Sequence, residues 1–329
     1  MASNRETIEL GSNDDDRRAD RVLKKLLTGV PSGRIFRALR DGDIRLNGNR
    51  LRPEDRVHAS DELTLRGPLA LEYRRRLGAT PPASAHRNGM TLSNEQILFH
   101  NRHVLAINKR RGELVHGRDS LEDAVRLFAE QHDVGEEGVS FQAGPIHRLD
   151  RNTSGIVLFA LSTAGAQAGS ELFARGAIEK SYLGFVDGEL RSRATWSDAL
   201  VRDRSRKLTS VAAEGDTGQR AAQTIAAPLL RASGATLVLF RIETGRTHQI
   251  RAHCAAHGHP LVGDTKYGGG KGGTYLLHAA RLALKERHPV LGFRCLCAPL
   301  PPAARRLLGR YLPDAAVSHA LEKIECECV

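Results

Sequence analysis

The sequence lacks any uninterrupted apolar stretch approaching the ~20 residues of a bilayer-spanning helix, and it carries neither a basic amphipathic helix nor a lipidation signal. A membrane protein is therefore not expected. Its first sixteen residues are polar and acidic, without the apolar core of a secretory signal. Cysteine is scarce and badly placed for a framework: the five residues are odd in number and late in the chain, at Cys254, Cys295, Cys297, Cys326 and Cys328. An extracellular disulfide scaffold does not follow from that pattern, and the C-x-C spacing is narrower than structural zinc sites use. The histidines His253 and His257 share helical spacing but lack the glutamate of H-E-x-x-H. A resident metal is not expected, and the protein reads as cytoplasmic.

What is present is length and positive charge. The chain has 329 residues, 40% of them apolar and 26% charged, so it can bury two ordinary cores without staples. Lysine and arginine number 49 against 38 acidic residues, a formal charge of +11 that a polyanion such as nucleic acid would answer. The surplus is uneven. Between Arg17 and Arg66 thirteen basic residues face seven acidic ones, which places six of the eleven excess charges in fifty residues.

That segment has its own pattern. Val22, Leu23, Leu26 and Leu27, then Ile35, Phe36 and Leu39, recur at helical spacing on either side of Pro31-Ser32-Gly33. Ile44-Arg45-Leu46, Asn47-Gly48 and Leu51 then spell a tight hairpin. Residues 1–16, with Asp14-Asp15-Asp16, read as a disordered tail, and residues 67–93, with Tyr73-Arg74-Arg75-Arg76 and Pro81-Pro82, read as a linker. From residue 94 to 313 strands and helices alternate. Val104 to Ile107 is a short strand, Ser120 and Asp123 can cap a helix with Leu121, Val125 and Phe128 on its apolar face, and Gly155 to Leu161 and Leu237 to Ile242 are buried strands. The expected class is α+β, a mixed-sheet domain preceded by a small α+β unit; residues 314–329 read as a C-terminal tail.

Three clusters carry chemistry. In His147-Arg148-Leu149-Asp150-Arg151-Asn152-Thr153-Ser154-Gly155 a carboxylate is rimmed by two arginines, a field that favours its ionised form and suits a nucleophile better than an acid. The same residues would equally make an ion pair that caps a turn. Gly245-Arg246-Thr247-His248-Gln249-Ile250-Arg251 offers two guanidiniums, one for a buried carboxylate and one for phosphate or backbone. Lys180 to Val186 is a strand whose Tyr182 could stack on a base or simply fill a core. Lys109, after the first strand, and Leu277-His278-Ala279 are weak signals singly.

Two family resemblances follow from these residues. Arg34-Ile35-Phe36-Arg37-Ala38-Leu39-Arg40 with Ile44-Arg45-Leu46-Asn47-Gly48 resembles the alpha-L RNA-binding motif of the S-four type, whose positive side binds folded RNA. The ordered set His147 to Gly155, Lys180 to Val186, Gly245 to Arg251, Gly258 to Gly268 and Leu277-His278-Ala279 resembles the RluA family of RNA pseudouridine synthases. The resemblance covers about Glu95 to Leu300. It implies Asp150 as the catalytic carboxylate, paired with Arg251; Tyr182 stacked on the base and sharing in proton transfer; and Arg148 filling the gap left by a flipped uridine. It also implies RNA or base contacts from Lys109, Arg246 and His248, with Arg34, Arg37 and Arg40 on the small domain. One departure is local: the family usually has Lys-Pro where this chain has Lys109-Arg110-Arg111. The implied reaction uses no cofactor and no metal, and the implied partner is RNA, most simply large-subunit ribosomal RNA bound by a monomer. Two other readings compete with it, a noncatalytic RNA-binding or ribosome-assembly protein and a metal hydrolase using the histidines and Asp264.

Overall fold

The computed structural model describes residues 5–79, 91–132, 134, 141–270 and 272–326. In the small unit, β1 (Arg5–Glu9), β2 (Arg17–Arg18), α1 (Ala19–Leu26), α2 (Ser32–Asp41), β3 (Ile44–Leu46), β4 (Asn49–Arg50), β5 (Arg56–Val57), β6 (Glu62–Arg66) and α3 (Gly67–Ala79) follow in order. Four of the strands form a sheet in the order β1-β6-β3-β4, and β2 pairs with β5. The two helices and the hairpin fall where the periodicity put them. Asn47 and Gly48 both take positive φ, 50° and 80°, the geometry a two-residue turn between right-twisted strands requires.

The expected N-terminal tail is structured from Arg5. Strand β1 lies antiparallel to β6 with Ile8 opposite Leu63, and Ile8 and Leu10 are buried in the small core beside Val22, Leu23 and Ile35. The acidic run hid this, yet Asp14 is itself buried, where its carboxylate accepts from the Gly11 amide at 3.0 Å. The expected linker is likewise helical as far as Ala79: Leu69 and Ala70 join the same core, and Arg74 pairs with Glu6. The remainder of that linker, residues 80–90, lies outside the described residues.

The large unit runs β7 (Ile97–His100), β8 (Val104–Lys109), α4 (Leu121–His132), β9 (Gly144–Pro145), β10 (Ser154–Ala160), α5 (Thr163–Ala174), β11 (Ile178–Asp187), β12 (Ala194–Trp196), β13 (Leu200–Asp203), β14 (Leu208–Val211), β15 (Thr224–Ala232), β16 (Ala235–Ile242), α6 (Gln249–Ala256), β17 (Leu277–Leu284), β18 (Cys295–Cys297), α7 (Pro302–Leu308) and α8 (Asp314–Cys326). Its sheet has ten strands, eight in the path β12-β15-β16-β11-β17-β10-β8-β7, with β18 beside β17 and β9 beside β10. The β10–β17 pairing is parallel and its neighbours are antiparallel, so the sheet is mixed.

Alternate residues divide between the faces. Val157, Phe159, Tyr182, Phe240 and Leu277 join Val125 of α4 and Ile250 of α6 on one side. Ile156 and Leu158 pack against α5 on the other, and Leu183, Phe185 and Leu237 pack against α7 and α8. Each such side chain contributes about 1.5–3 kcal/mol by leaving water, and burial on both faces explains the continuous apolar runs. The expected C-terminal tail is α8, whose Val317 and Ile324 lie in that second layer. Asp314 and Glu322 are exposed on it, which is why composition suggested a tail. Cys295 is disulfide-bonded, a pairing the C-x-C spacing did not suggest.

The parallel crossing depends on one glycine. Gly155 has φ of 109°, and a Cβ there would stand 2.2 Å from the Ala279 carbonyl oxygen on β17. Gly155→Ala is therefore expected to cost about 3 kcal/mol or more, from left-handed strain plus displacement of β17. Urea denaturation of both proteins measures it.

Candidate active site

The segment joining β9 to β10 carries Asp150, and its shape is imposed from beneath. Lys109 ends β8 with its side chain fully buried. Its Nζ donates to the carbonyls of Thr153 at 2.7 Å, Arg151 at 3.0 Å and Arg110 at 3.0 Å. The Thr153 amide returns to the Asp150 carbonyl at 3.0 Å, closing a tight turn, and the Gly112 amide donates to Arg151 O at 2.7 Å. Burial lowers the Lys109 pKa to about 8, against the pull of Glu113 and Asp150. Lys109 is thus no RNA contact as the resemblance implied, but a clamp on the loop that presents Asp150. The Arg110-Arg111 departure leaves this intact, because Arg110 contributes its backbone: its amide is held by Glu113 at 2.7 Å and its carbonyl by Lys109.

The far end of the turn is fixed too. His278 on β17 is buried and meets the Ser154 hydroxyl at 2.9 Å and the Ala298 carbonyl at 3.1 Å. A carbonyl can only accept, so Nε2 carries the hydrogen and Nδ1 accepts from Ser154. Burial pushes the His278 pKa down to about 4, keeping it in that neutral form.

Above the turn lies a cavity of about 120 Å³ lined by Arg148, Asp150, Tyr182, Arg246, His248 and Leu277, among others. That equals about four water volumes and is well below the several hundred Å³ of a pocket for a drug-sized ligand, so it suits one flat ring. Asp150 is the single carboxylate in the lining, and Arg148 and Arg246 are exposed cations beside it. Tyr182 is buried on β11 at a register shift, where Ser181 opposes Arg281 but Tyr182 opposes Ala279. Such a bulge re-aims a side chain. Burial first, and Asp150 second, raise its pKa, so its hydroxyl keeps its proton at neutral pH. Arg148 reaches His116 at 3.2 Å, and the Arg246 Nε donates to the Ala221 carbonyl at 3.1 Å.

The loop before α6 is fixed by Gln249. Its Oε1 accepts from the Thr244 hydroxyl at 2.7 Å and the Arg246 amide at 3.1 Å, while Nε2 donates to Gln223 O at 2.8 Å. This leaves His248 at the helix start with φ 56°, a conformation costing roughly 1–2 kcal/mol for a residue with a Cβ. Its Nε2 stands 3.8 Å from the Asp150 carboxylate.

One implied contact is not made. Arg251 does not pair with Asp150; its Nε and Nη2 grip Asp264 at 2.6 and 2.8 Å, both residues buried. Tyr267 and Tyr275 cover the guanidinium, with ring centroids 4.5 and 4.7 Å away. The bidentate pair plus two aromatic faces repays the desolvation of the arginine, and Arg251 lines a neighbouring cavity with Arg151, Lys207 and Lys266 instead. Asp264 and Tyr267 stand in the Gly258 to Gly268 motif, so a signal existed there, but sequence offers no means of choosing between two aspartates. Tyr275 carried no signal.

The remaining histidines are structural. His253 contacts Thr224 Oγ1 at 2.9 Å and the Asp198 carbonyl at 3.1 Å, and His257 meets the Asp198 carboxylate at 2.7 Å while stacked on Trp196. On the small unit, Arg34, Arg37 and Arg40 are exposed along α2, with Arg34 drawn towards Glu72 of α3 at 3.3 Å.

The chain is similar to known proteins over most of its length. Residues 103–256 match a family model described as RNA pseudouridylate synthase. The chain is 31% identical over 317 residues to the ribosomal large subunit pseudouridine synthase C of Salmonella typhimurium, covering 92% of this chain and 95% of that protein. It is 32% identical over 319 residues to the ribosomal large subunit pseudouridine synthase D of Xylella fastidiosa, covering 92% and 91%. Human RNA pseudouridylate synthase domain containing 4 superposes with a TM-score of 0.55 over 72% of this chain and 99% of that one, at 21% identity, which speaks for the fold.

The clamp is open to direct test. Lys109→Met keeps the length of the stem but takes a donor from three carbonyls and leaves those of Arg110 and Thr153 without a partner, at an expected cost of about 3 kcal/mol. Chemical denaturation reads that loss, and any catalytic turnover should fall with it because Asp150 is no longer held.

Proposed function

The chain belongs to the RluA family of RNA pseudouridine synthases, and from that premise we propose that it isomerises uridine in large-subunit ribosomal RNA, with Asp150 as the catalytic carboxylate. The observation that carries the assignment is the cavity itself, in which one carboxylate, one buried tyrosine and two exposed arginines surround room for a single ring. The reaction breaks the N1–C1′ glycosidic bond, turns the base and joins C5 to C1′; the C5 hydrogen leaves as a proton and N1 takes one up. No electrons are gained or lost, so the reading includes no cofactor.

Each lining residue has a part in that chemistry. Asp150 meets the sugar, where charge develops as the glycosidic bond breaks. Tyr182, neutral and buried, lies against the base with a hydroxyl able to pass a proton. A stacked base cannot reach so small a cavity, so the target nucleotide is turned out of its helix at a cost of a few kcal/mol, and Arg148 on the rim stands where the vacated stack can be filled. Arg246 and His248 contact the flipped nucleotide. Arg34, Arg37 and Arg40 form the positive face on which the small unit docks folded RNA. We read the protein as a cytoplasmic monomer, since nothing in the cavity calls for a second subunit.

The test uses ribosomal RNA labelled with tritium at uridine C5, because forming the new bond there releases the label to water. Wild type is expected to release it and Asp150→Asn to lose release by at least about 10³-fold, with RNA affinity within twofold. Label release by a clean Asp150→Asn preparation would sink the assignment. Independently, Arg37→Glu with Arg40→Glu is expected to weaken RNA binding about tenfold or more and to flatten the plot of log Kd against log salt by about one to two units. An unchanged slope in fluorescence anisotropy counts against docking on α2.

A further inference from the structure

The GRTHQ loop and the Gly258 to Gly268 motif meet at a hydrogen-bond chain that stops beside Asp150. The Thr209 amide on β14 donates to the Tyr267 hydroxyl at 3.0 Å, and that hydroxyl lies 2.8 Å from His248 Nδ1. His248 Nε2 in turn lies 3.8 Å from Asp150 Oδ2. The protons on this chain can be placed. Thr209 occupies both Tyr267 lone pairs, its amide and its hydroxyl each bonding the phenol oxygen while the Thr209 oxygen itself accepts from Arg202. The hydroxyl hydrogen therefore goes to Nδ1, and a neutral imidazole must carry its own hydrogen on Nε2, the nitrogen that faces Asp150. Burial holds His248 below its ordinary pKa, which keeps it neutral.

Tyr267 is itself immobilised. Its ring lies under the Arg251 guanidinium that Asp264 grips, and its neighbour Lys266 donates to the carbonyls of Arg206 and Lys207, at 3.3 and 3.0 Å, in the turn between β13 and β14. The imidazole edge meets the tyrosine ring at 81°. His248, held by Gln249 in a left-handed conformation, has its ring orientation set by the hydroxyl alone.

We propose that His248 and Tyr267 are positioning residues for the isomerisation: the Tyr267 hydroxyl fixes the imidazole with Nε2–H turned to one oxygen of Asp150, leaving the other oxygen aimed at the nucleotide. The inference rests on Asp150 as the catalytic carboxylate. At 3.8 Å the contact is longer than a hydrogen bond, a looseness common to catalytic groups that tighten only around substrate. It also gives Arg251 and Asp264 a reason to be buried so near the cavity, since their pair is the floor on which Tyr267 rests.

The experiment is a double-mutant cycle on full-length protein, read by tritium release from ribosomal RNA. Tyr267→Phe keeps the ring on Arg251 and removes only the hydroxyl; kcat is expected to fall about 10- to 100-fold with KM and RNA Kd within twofold. His248→Gln supplies an amide N–H towards Asp150 that needs no tautomer, so it is expected to retain more activity than His248→Ala, and adding Tyr267→Phe to it is expected to change kcat less than threefold. Equal losses in both backgrounds, or full kcat in Tyr267→Phe, would overturn the proposal. A second readout does not depend on turnover: ¹⁵N NMR of the imidazole is expected to show hydrogen on Nε2 in wild type and a mixture of tautomers in Tyr267→Phe. Hydrogen on Nδ1 in wild type overturns the inference even if the RNA substrate is wrong, whereas an inactive wild type with the expected tautomer faults the substrate reading and leaves the hydrogen-bond chain standing.

Discussion

A buried ammonium group organises this active site. Lys109 has no ion-pair partner among the described residues, and burying a charge without one is costly. The compensation is geometric: an ammonium has three hydrogens, and three main-chain carbonyls converge on it. Two of those carbonyls belong to the loop that carries Asp150, so the loop cannot move without exposing a buried charge. That inverts the usual relation between a strand end and a catalytic loop. Here the strand end penalises every other loop conformation, and Asp150, Gly155 and the parallel crossing onto β17 are located by the same constraint.

The carboxylates near the cavity divide into two environments. Asp264 is buried and spent on a bidentate arginine between two tyrosine faces, while Asp150 keeps a partly open side chain and only a 3.8 Å contact with a neutral histidine. A carboxylate locked by Arg251 would be a poor reactant, because its lone pairs would already be committed. Moving the arginine to Asp264 leaves Asp150 uncommitted, with Arg148 and Arg246 as a positive rim that makes no tight hydrogen bond to it. Tyr182 complements it as a proton-bearing group in a dry wall. The site keeps its strong interactions one step away from the reacting atoms.

Much of this was legible in the sequence. Apolar runs marked the doubly covered strands, and the motifs carrying Asp150, Tyr182, Arg246 and His248 do surround one cavity. What misled was polarity read as disorder. Residues 5–16, 67–79 and 314–326 are rich in charge, yet each hides a few apolar side chains, such as Ile8, Leu69 and Val317, that only a partner surface reveals. The resemblance gives Lys109 an RNA contact, the usual lot of a side chain that is seldom fully buried; its role here depends on three carbonyls, which no side-chain pattern encodes. The Arg251 pairing failed for a related reason. Two aspartates more than a hundred residues apart in sequence compete for one guanidinium, and the choice is made by tertiary distance.

The same lesson bears on how the two units work together. The segment expected as a tail brings Asn13, with Arg17 just beyond it, to Thr163 at the start of α5, where Asn13 Oδ1 accepts from the Thr163 amide at 3.1 Å and Arg17 donates to its hydroxyl at 2.9 Å. Two such bonds contribute about 1 kcal/mol each net, together enough to favour this contact about thirtyfold. The buried strand that sets Ile8 in the small core and the polar turn that reaches Thr163 thus belong to one segment, whose charge hid both its packing and its contact with the large unit.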